Sequence, residues 1–212
     1  MTTISIPSVS WRQAAAAAAA LLLLAGVVVG VWLWSDAQQR AVAAAYADAL
    51  ARLGGARGRE PTAEERAAAV RDLEAALQRH PSGPLAAQAA LELGNVRYAA
   101  REWSRARGAW EIAAAQGHSP TLRTLARMGI GYAWEAERNY PKAVEAFRAA
   151  AADLKPTDFH YEELLVGLAR AQELAGDRQG AIETYRRVLR EVPNSARADD
   201  IRTRLASLGA RP

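Results

Sequence analysis

The chain has 212 residues, no cysteine and a formal net charge of +4, with charged residues of both signs spread along its length. The absence of cysteine excludes disulfides, thiolate metal sites and lipid attachment through a thiol. The basic residues form no block, so the charge pattern does not indicate nucleic acid as a partner. After residue 36 the chain is rich in Ala, Leu, Arg and Glu, which predicts an all-α fold.

Residues 14–34 form an uncharged run of 21 residues near the N-terminus. A helix needs roughly 20 apolar residues to cross the hydrocarbon core of a bilayer. The leucines and valines supply the apolar surface, and Trp11, Trp32 and Trp34 lie where aromatic residues favour the membrane interface. We therefore predict a single N-terminal transmembrane helix whose surroundings are membrane lipid.

A cleaved signal peptide is the alternative for this run. Ser35 and Ala37 offer small residues at the two positions that a signal peptidase reads, with cleavage after Ala37. The apolar core of a signal peptide usually has only about 7 to 15 residues and follows a more basic segment than the single Arg12. The pattern favours the uncleaved helix.

Gly26 and Gly30 lie one helical turn apart within this run. Such a pair allows a second transmembrane helix to approach closely. The alternative is that the two glycines have no packing partner, because small residues are common in membrane helices in general. The flanking charges do not determine the orientation, because Arg12 precedes the run while Arg40 and Arg52 follow it.

A repeated pattern organises the rest of the chain. An alanine, a large apolar or aromatic residue four positions later and a third apolar residue recur at steps of 37, 37 and 38, followed each time by a proline. The sets are Ala69, Leu73, Ala76; Ala106, Trp110, Ala113; Ala143, Phe147, Ala150; and Ala181, Tyr185, Val188. A Leu-Gly-like pair precedes the last three sets, at Leu93-Gly94, Ile130-Gly131 and Leu168-Ala169.

This pattern resembles the tetratricopeptide repeat, a helix-turn-helix unit of 34 residues. The resemblance implies an α-solenoid of about three and a half helix pairs, in which Gly94 and Ala106 and their equivalents allow the paired helices to cross closely. The units are three or four residues longer than the family standard, and we assign the excess to loops at residues 115–121 and 153–159.

The predicted organisation therefore has five parts. They are a short tail at 1–13, the transmembrane helix at 14–34, a helical stalk and loop forming a degenerate first repeat at 35–61, the repeats at 62–195, and a capping helix and tail at 196–212. For the capping helix we predict Asn194 or Ser195 as N-cap and Gly209 as the terminator.

The resemblance also implies a partner groove lined by the first helix of each pair, which binds a peptide segment or a helix. By register its residues are Gln88, Leu91, Asn95, Tyr98, Leu125, Met128, Tyr132, Glu135, Glu163, Val166, Arg170 and Glu173. Met128 and Tyr132 have an alternative interpretation as core residues between repeats. The set lacks the combination of several Lys and Arg residues with which some family members clamp a terminal carboxylate, so that specificity is not predicted.

No catalytic motif is present in the sequence. We find no phosphate-binding glycine loop, nucleophile elbow or zinc-binding His-Glu pair. His80 and His118 lie at equivalent loops between repeats, which favours a role in the repeat over a metal site. We therefore predict neither an enzyme nor a cofactor or metal.

One membrane helix followed by such repeats is similar to a group of bacterial inner-membrane proteins that includes the ancillary subunit of the Sec translocon. The resemblance implies a single-pass inner-membrane protein with its repeats in the periplasm, acting as a scaffold or chaperone-like adaptor for envelope or secreted proteins. The alternative is a structural accessory subunit of one membrane complex, with its transmembrane helix packed into that complex.

Overall fold

The computed structural model describes residues 11–54, 61–82 and 84–211, and within these residues it contains nine α-helices and no strand. The chain divides into two compact units, one ending at Ala44 and the other beginning at Ala45. The helices are α1 (Trp11–Gly54), α2 (Ala63–Arg79), α3 (Pro84–Ala99), α4 (Trp103–Gln116), α5 (Pro120–Ala136), α6 (Tyr140–Ala151), α7 (Tyr161–Leu174), α8 (Arg178–Glu191) and α9 (Ala198–Ser207).

The first unit consists of the N-terminal part of α1. Its leucines, valines and tryptophans from Leu21 to Trp34 are 53–74% exposed. The helix is long and apolar enough from Ala20 onward to cross a membrane, and a signal sequence near the N-terminus has the same properties. The residues predicted as transmembrane helix and stalk helix lie in this single continuous helix.

The second unit contains the helix pairs α3/α4, α5/α6 and α7/α8. Each helix packs on the next in chain order, and the first helix α5 also contacts the first helices α3 and α7. The helix α2 packs on α3, and α9 packs on α8 at the other end. The all-α prediction is thus confirmed for the described residues.

The same turn joins the two helices of every pair. Arg101, Arg138 and Gly176 have positive φ values of 62°, 61° and 82°, and each lies two residues before the second helix of its pair. In the middle turn the amide of Asn139 donates to the Trp134 carbonyl and that of Arg138 donates to the Glu135 carbonyl, both at 2.9 Å. These bonds form a Schellman motif, which satisfies the last carbonyls of the first helix.

An aromatic residue on the second helix fills the space between neighbouring first helices. A Cβ built at Gly129 would lie 2.7 Å from the Trp110 ring, and the atoms nearest to a Cβ at Gly94 also belong to Trp110. Phe147 lies in the same way between Gly131 and Gly167. The indole of Trp110 therefore occupies the space that the missing side chain of Gly94 leaves.

The length of one connection and the start of the capping helix differ from what the sequence predicts. The connection between α4 and α5 has only residues 117–119, so the excess length there lies in the helices, since α3 has 16 residues and α5 has 17. Of the two loops to which we assigned the excess, the one between α6 and α7, residues 152–160, is long.

The capping helix α9 also begins later than expected, with Arg197 at its N-cap. Instead of capping the helix, Ser195 accepts a hydrogen bond from the Arg197 amide at 3.0 Å and donates one to Glu162 at 2.7 Å. Gly209 follows the helix with φ 68°, and its amide donates to the Ala206 carbonyl at 2.9 Å.

Candidate binding face

The twelve predicted groove residues lie on α3, α5 and α7, and together we call them the first-helix face. Their spacing by whole helical turns places them on one side of each helix. Gln88 and Asn95 are exposed, and nine of the others are half-buried. Met128 is only 8% exposed and belongs to the hydrophobic core, which agrees with its alternative interpretation as a core residue between repeats.

A polar network crosses this face between α5 and α7. The guanidinium of Arg170 donates to both carboxylate oxygens of Glu135, at 2.9 and 3.0 Å. The hydroxyl of Tyr132 donates to Glu163 Oε1 at 3.1 Å, and Arg170 also lies 5.7 Å from the centre of the Tyr132 ring. Because bidentate Arg–carboxylate contacts are directional, they hold the side chains of α5 and α7 in fixed positions.

The electrostatics of the face follow from this network. Burial, reinforced by the charge and hydrogen bond of Glu163, raises the pKa of Tyr132 to about 12. Burial alone would lower the pKa of Arg170, but the hydrogen bonds and charge of Glu135 outweigh it and raise that pKa. Both side chains therefore keep their ordinary protonation at neutral pH, and Tyr132 remains a hydrogen-bond donor.

The α3 side of the face is aromatic. The Tyr98 ring lies 4.7 Å from the Trp103 ring and 5.6 Å from the Trp110 ring, measured between centroids. Asn95 Oδ1 accepts a hydrogen bond from Trp110 Nε1 at 3.3 Å, which orients the indole. The ring of Tyr132 likewise packs edge-on against Phe147 at 5.1 Å, so both tyrosines join the face to the core.

The sequence alone did not identify three residues at the edges of this face. Arg204 of α9 lies 3.4 Å from Glu173, and Tyr185 of α8 donates a hydrogen bond to the same carboxylate at 3.3 Å. Phe159, in the α6–α7 connection, is 93% exposed. The helical register gave no signal for Phe159, which lies outside α7, and the contacts of Arg204 and Tyr185 depend on how α8 and α9 pack.

The glycines Gly26 and Gly30 lie on α1, in the first unit, and do not contribute to the first-helix face. A Cβ built at either position would meet no atom within 4 Å. They are therefore open positions on an exposed apolar helix, and their proposed packing against another helix stays a prediction.

Two clefts are lined by none of the twelve predicted residues. One of about 270 Å³ is bounded by α5 and the α6–α7 connection, including Arg127, Asp153 and Phe159. The other, of about 430 Å³, lies among α2, α3 and α4 and is lined mainly by Leu77, Leu93, Ala109 and Ile112. Among the residues that the structure describes, no group of three His, Cys, Asp or Glu side chains could hold a metal ion.

The helix pairs in register, with one face formed by the first helices, define an α-helical repeat protein. The sequence profile of the tetratricopeptide repeat family matches residues 62–119 and 91–159. The tetratricopeptide prediction is thus confirmed for 62–159, and the helix pairing continues beyond the matched residues through α7 and α8. Tetratricopeptide repeats generally mediate protein–protein interactions and are typically not enzymes. No curated protein matches the chain.

Proposed function

We propose that this protein is a membrane-tethered interaction module that binds a segment of another protein on its first-helix face. It would act as a scaffold or chaperone-like adaptor for envelope or secreted proteins. The observation that carries the proposal is the network of Tyr132, Glu135, Glu163 and Arg170, which presents half-buried polar and aromatic groups in fixed positions. A face that is ordered before binding loses less conformational entropy when the partner binds.

The proposed tether is the apolar part of α1. Its large side chains are exposed from Leu21 to Trp34, and burying them in lipid would remove that surface from water. We place the anchor in a bacterial inner membrane and the repeats in the periplasm on the similarity of this arrangement to the group that includes the ancillary Sec subunit. A reporter enzyme fused after the C-terminus and active on only one side of the membrane tests the orientation.

The binding proposal can be tested by site-specific photo-crosslinking of the full chain in native membranes. A photo-reactive amino acid at Gln88 or Asn95, which are exposed on α3, should capture partner proteins. The same group at Glu145, which is exposed on α6, is the matched control. Equal capture from α3 and α6 would contradict a binding role for the first-helix face.

A second candidate function is that of an accessory subunit of one membrane complex. The open positions at Gly26 and Gly30 favour it, because a neighbouring helix can pack closely only where no side chain intervenes. Purification from mild detergent distinguishes the two functions. A single complex of fixed stoichiometry that is lost on replacing both glycines with leucine supports the subunit, and many substoichiometric partners support the adaptor.

A further inference from the structure

The three carboxylates of the first-helix face differ in how their charges are neutralised. Glu135 is paired with Arg170 at 2.9 Å, and Glu173 lies 3.4 Å from Arg204. Within the described part of the chain, no lysine or arginine is paired with Glu163. Its neighbours are the Tyr132 hydroxyl and His160 Nδ1 at 3.5 Å, and the imidazole is a cation only when protonated.

An exposed aromatic ring lies against the His160 imidazole that approaches this carboxylate. Phe159 is 93% exposed, and its ring packs edge-on against the His160 ring at a centroid distance of 4.9 Å. Because His160 Nδ1 also lies 3.5 Å from Glu163, the Phe159 ring and the Glu163 carboxylate both lie against the same imidazole. Aromatic side chains contribute strongly to binding energy when a partner covers them, and a partner charge complementary to a carboxylate contributes to specificity.

We propose that the partner segment of the first-helix face carries a lysine or arginine that pairs with Glu163, next to an apolar side chain that covers Phe159. The inference rests on the proposed function and names the chemistry of its partner. Arg170 is less suited to an acidic partner, because its Nε and Nη2 already donate to Glu135, which neutralises its charge. Covering Glu163 with an apolar or acidic segment would leave an uncompensated carboxylate, which is unfavourable.

The test uses a random decapeptide library displayed on its encoding mRNA and selected on the full chain in detergent micelles. Peptides enriched on the wild type should contain Lys or Arg next to an apolar residue. Selection on Glu163→Gln should lose this preference, since glutamine can still accept the Tyr132 hydrogen bond but has no charge. Glu145→Gln makes the same change of charge on α6 and is the matched control. Peptides selected on this variant should keep the preference for Lys or Arg.

The affinity of the most enriched peptide then measures the proposed ion pair. Replacing its lysine with norleucine should weaken binding to the wild type about tenfold, as for a half-buried charge pair. The same replacement should have no effect on binding to Glu163→Gln, because the partner of the lysine is absent. Phe159→Ala should weaken binding to the peptide with its apolar residue and leave binding to a peptide with glycine there unchanged.

Three outcomes would overturn the inference. If enriched peptides lose affinity on Leu91→Asp yet show no preference for Lys or Arg, the face binds segments but not through this ion pair. If Glu145→Gln reduces binding as much as Glu163→Gln, the attraction is a general effect of charge. If no enriched peptide responds to Leu91→Asp, the proposed binding role of the face fails as well.

Discussion

The junction between α4 and α5 and the junction between α2 and α3 occupy the same place in successive repeats but are built differently. At the first, Trp110 packs against Gly129, and α4 and α5 lie close together. At the second, the equivalent positions are Leu73 and Glu92, and α2 packs less extensively on α3. The comparison shows that a glycine opposite a large ring allows two repeats to approach closely.

At the α2–α3 junction, ion pairs compensate in part for the smaller packing contact between the two helices. Arg97, whose side chain is only 13% exposed, pairs with Glu74 of α2 and with Glu102 at 2.7 Å. The hydroxyl of Tyr46 also donates to the His80 carbonyl at 2.6 Å, just after α2. This end of the repeat array therefore depends more on polar contacts than the α4–α5 junction does.

The largest expected effect is that of removing the ring at the close junction. Trp110→Ala should destabilise the second unit by about 3–5 kcal/mol, because it removes buried contacts on two helices and leaves a cavity. Leu73→Ala, at the equivalent position, should cost about 2 kcal/mol. Thermal unfolding followed by circular dichroism checks both, and a larger loss at Leu73 would reverse the ranking of the junctions.

Adding a methyl group at the same junction should have the next largest effect. Gly129→Ala places a Cβ 2.7 Å from the Trp110 ring and should destabilise by about 1–3 kcal/mol through overpacking. Gly108→Ala is the matched control, since that α4 glycine has no atom within 4 Å of the new Cβ. It should stabilise by about 0.5–1 kcal/mol through helix propensity. Urea unfolding measures both changes. Equal changes in the free energy of unfolding for the two variants would mean that the close approach of Trp110 to Gly129 is unimportant for stability.

The polar α2–α3 junction can be weakened separately. Arg97→Met removes the ion pairs to Glu74 and Glu102 and should destabilise the attachment of α2 by about 1–3 kcal/mol. Hydrogen exchange should show faster exchange in α2 while α5 and α6 remain protected. Uniformly faster exchange in all of these helices would show that the junctions are not independent.

In contrast to the junctions, the turn within each pair is the same in all three repeats. Arg138→Gly should stabilise by about 0.5–1 kcal/mol, because glycine adopts the observed φ of 61° without steric cost. Arg148→Gly, at an exposed position within α6, should destabilise by about 1 kcal/mol. Chemical denaturation midpoints check the opposite signs of the two changes.

The last effect is absent at neutral pH and concerns the tyrosines of the later repeats at alkaline pH. Burial and the neighbouring Glu163 and Glu173 raise the pKa values of Tyr132 and Tyr185 to about 12, from an ordinary 10.0. Since the unfolded chain releases these protons first, their contribution to stability is complete below pH 10 and is lost as the pH rises toward 12. In an absorbance titration, the Tyr132→Phe variant should show one tyrosine fewer titrating near pH 12 than the wild type. An unchanged curve would mean that Tyr132 does not have a raised pKa.

Much of the fold could be predicted from the sequence because a helical repeat is a local pattern. The recurrence of Ala106, Trp110 and their equivalents sets which side of each second helix faces the core, and the same register places the residues of the first-helix face on one side of α3, α5 and α7. Helix geometry alone determines these positions, since contacts three and four residues apart are set by 3.6 residues per turn.

Only the tertiary structure decided which side chains from different repeats meet. The pairing of Arg170 with Glu135 and of Glu173 with Arg204 joins residues 35 and 31 positions apart. Likewise, the indole of Trp110 fills the space beside Gly94, because ring size and helix separation settle that contact together. The register therefore determined the sides of the helices, while packing distances determined the partners and left Glu163 without a lysine or arginine among the described residues.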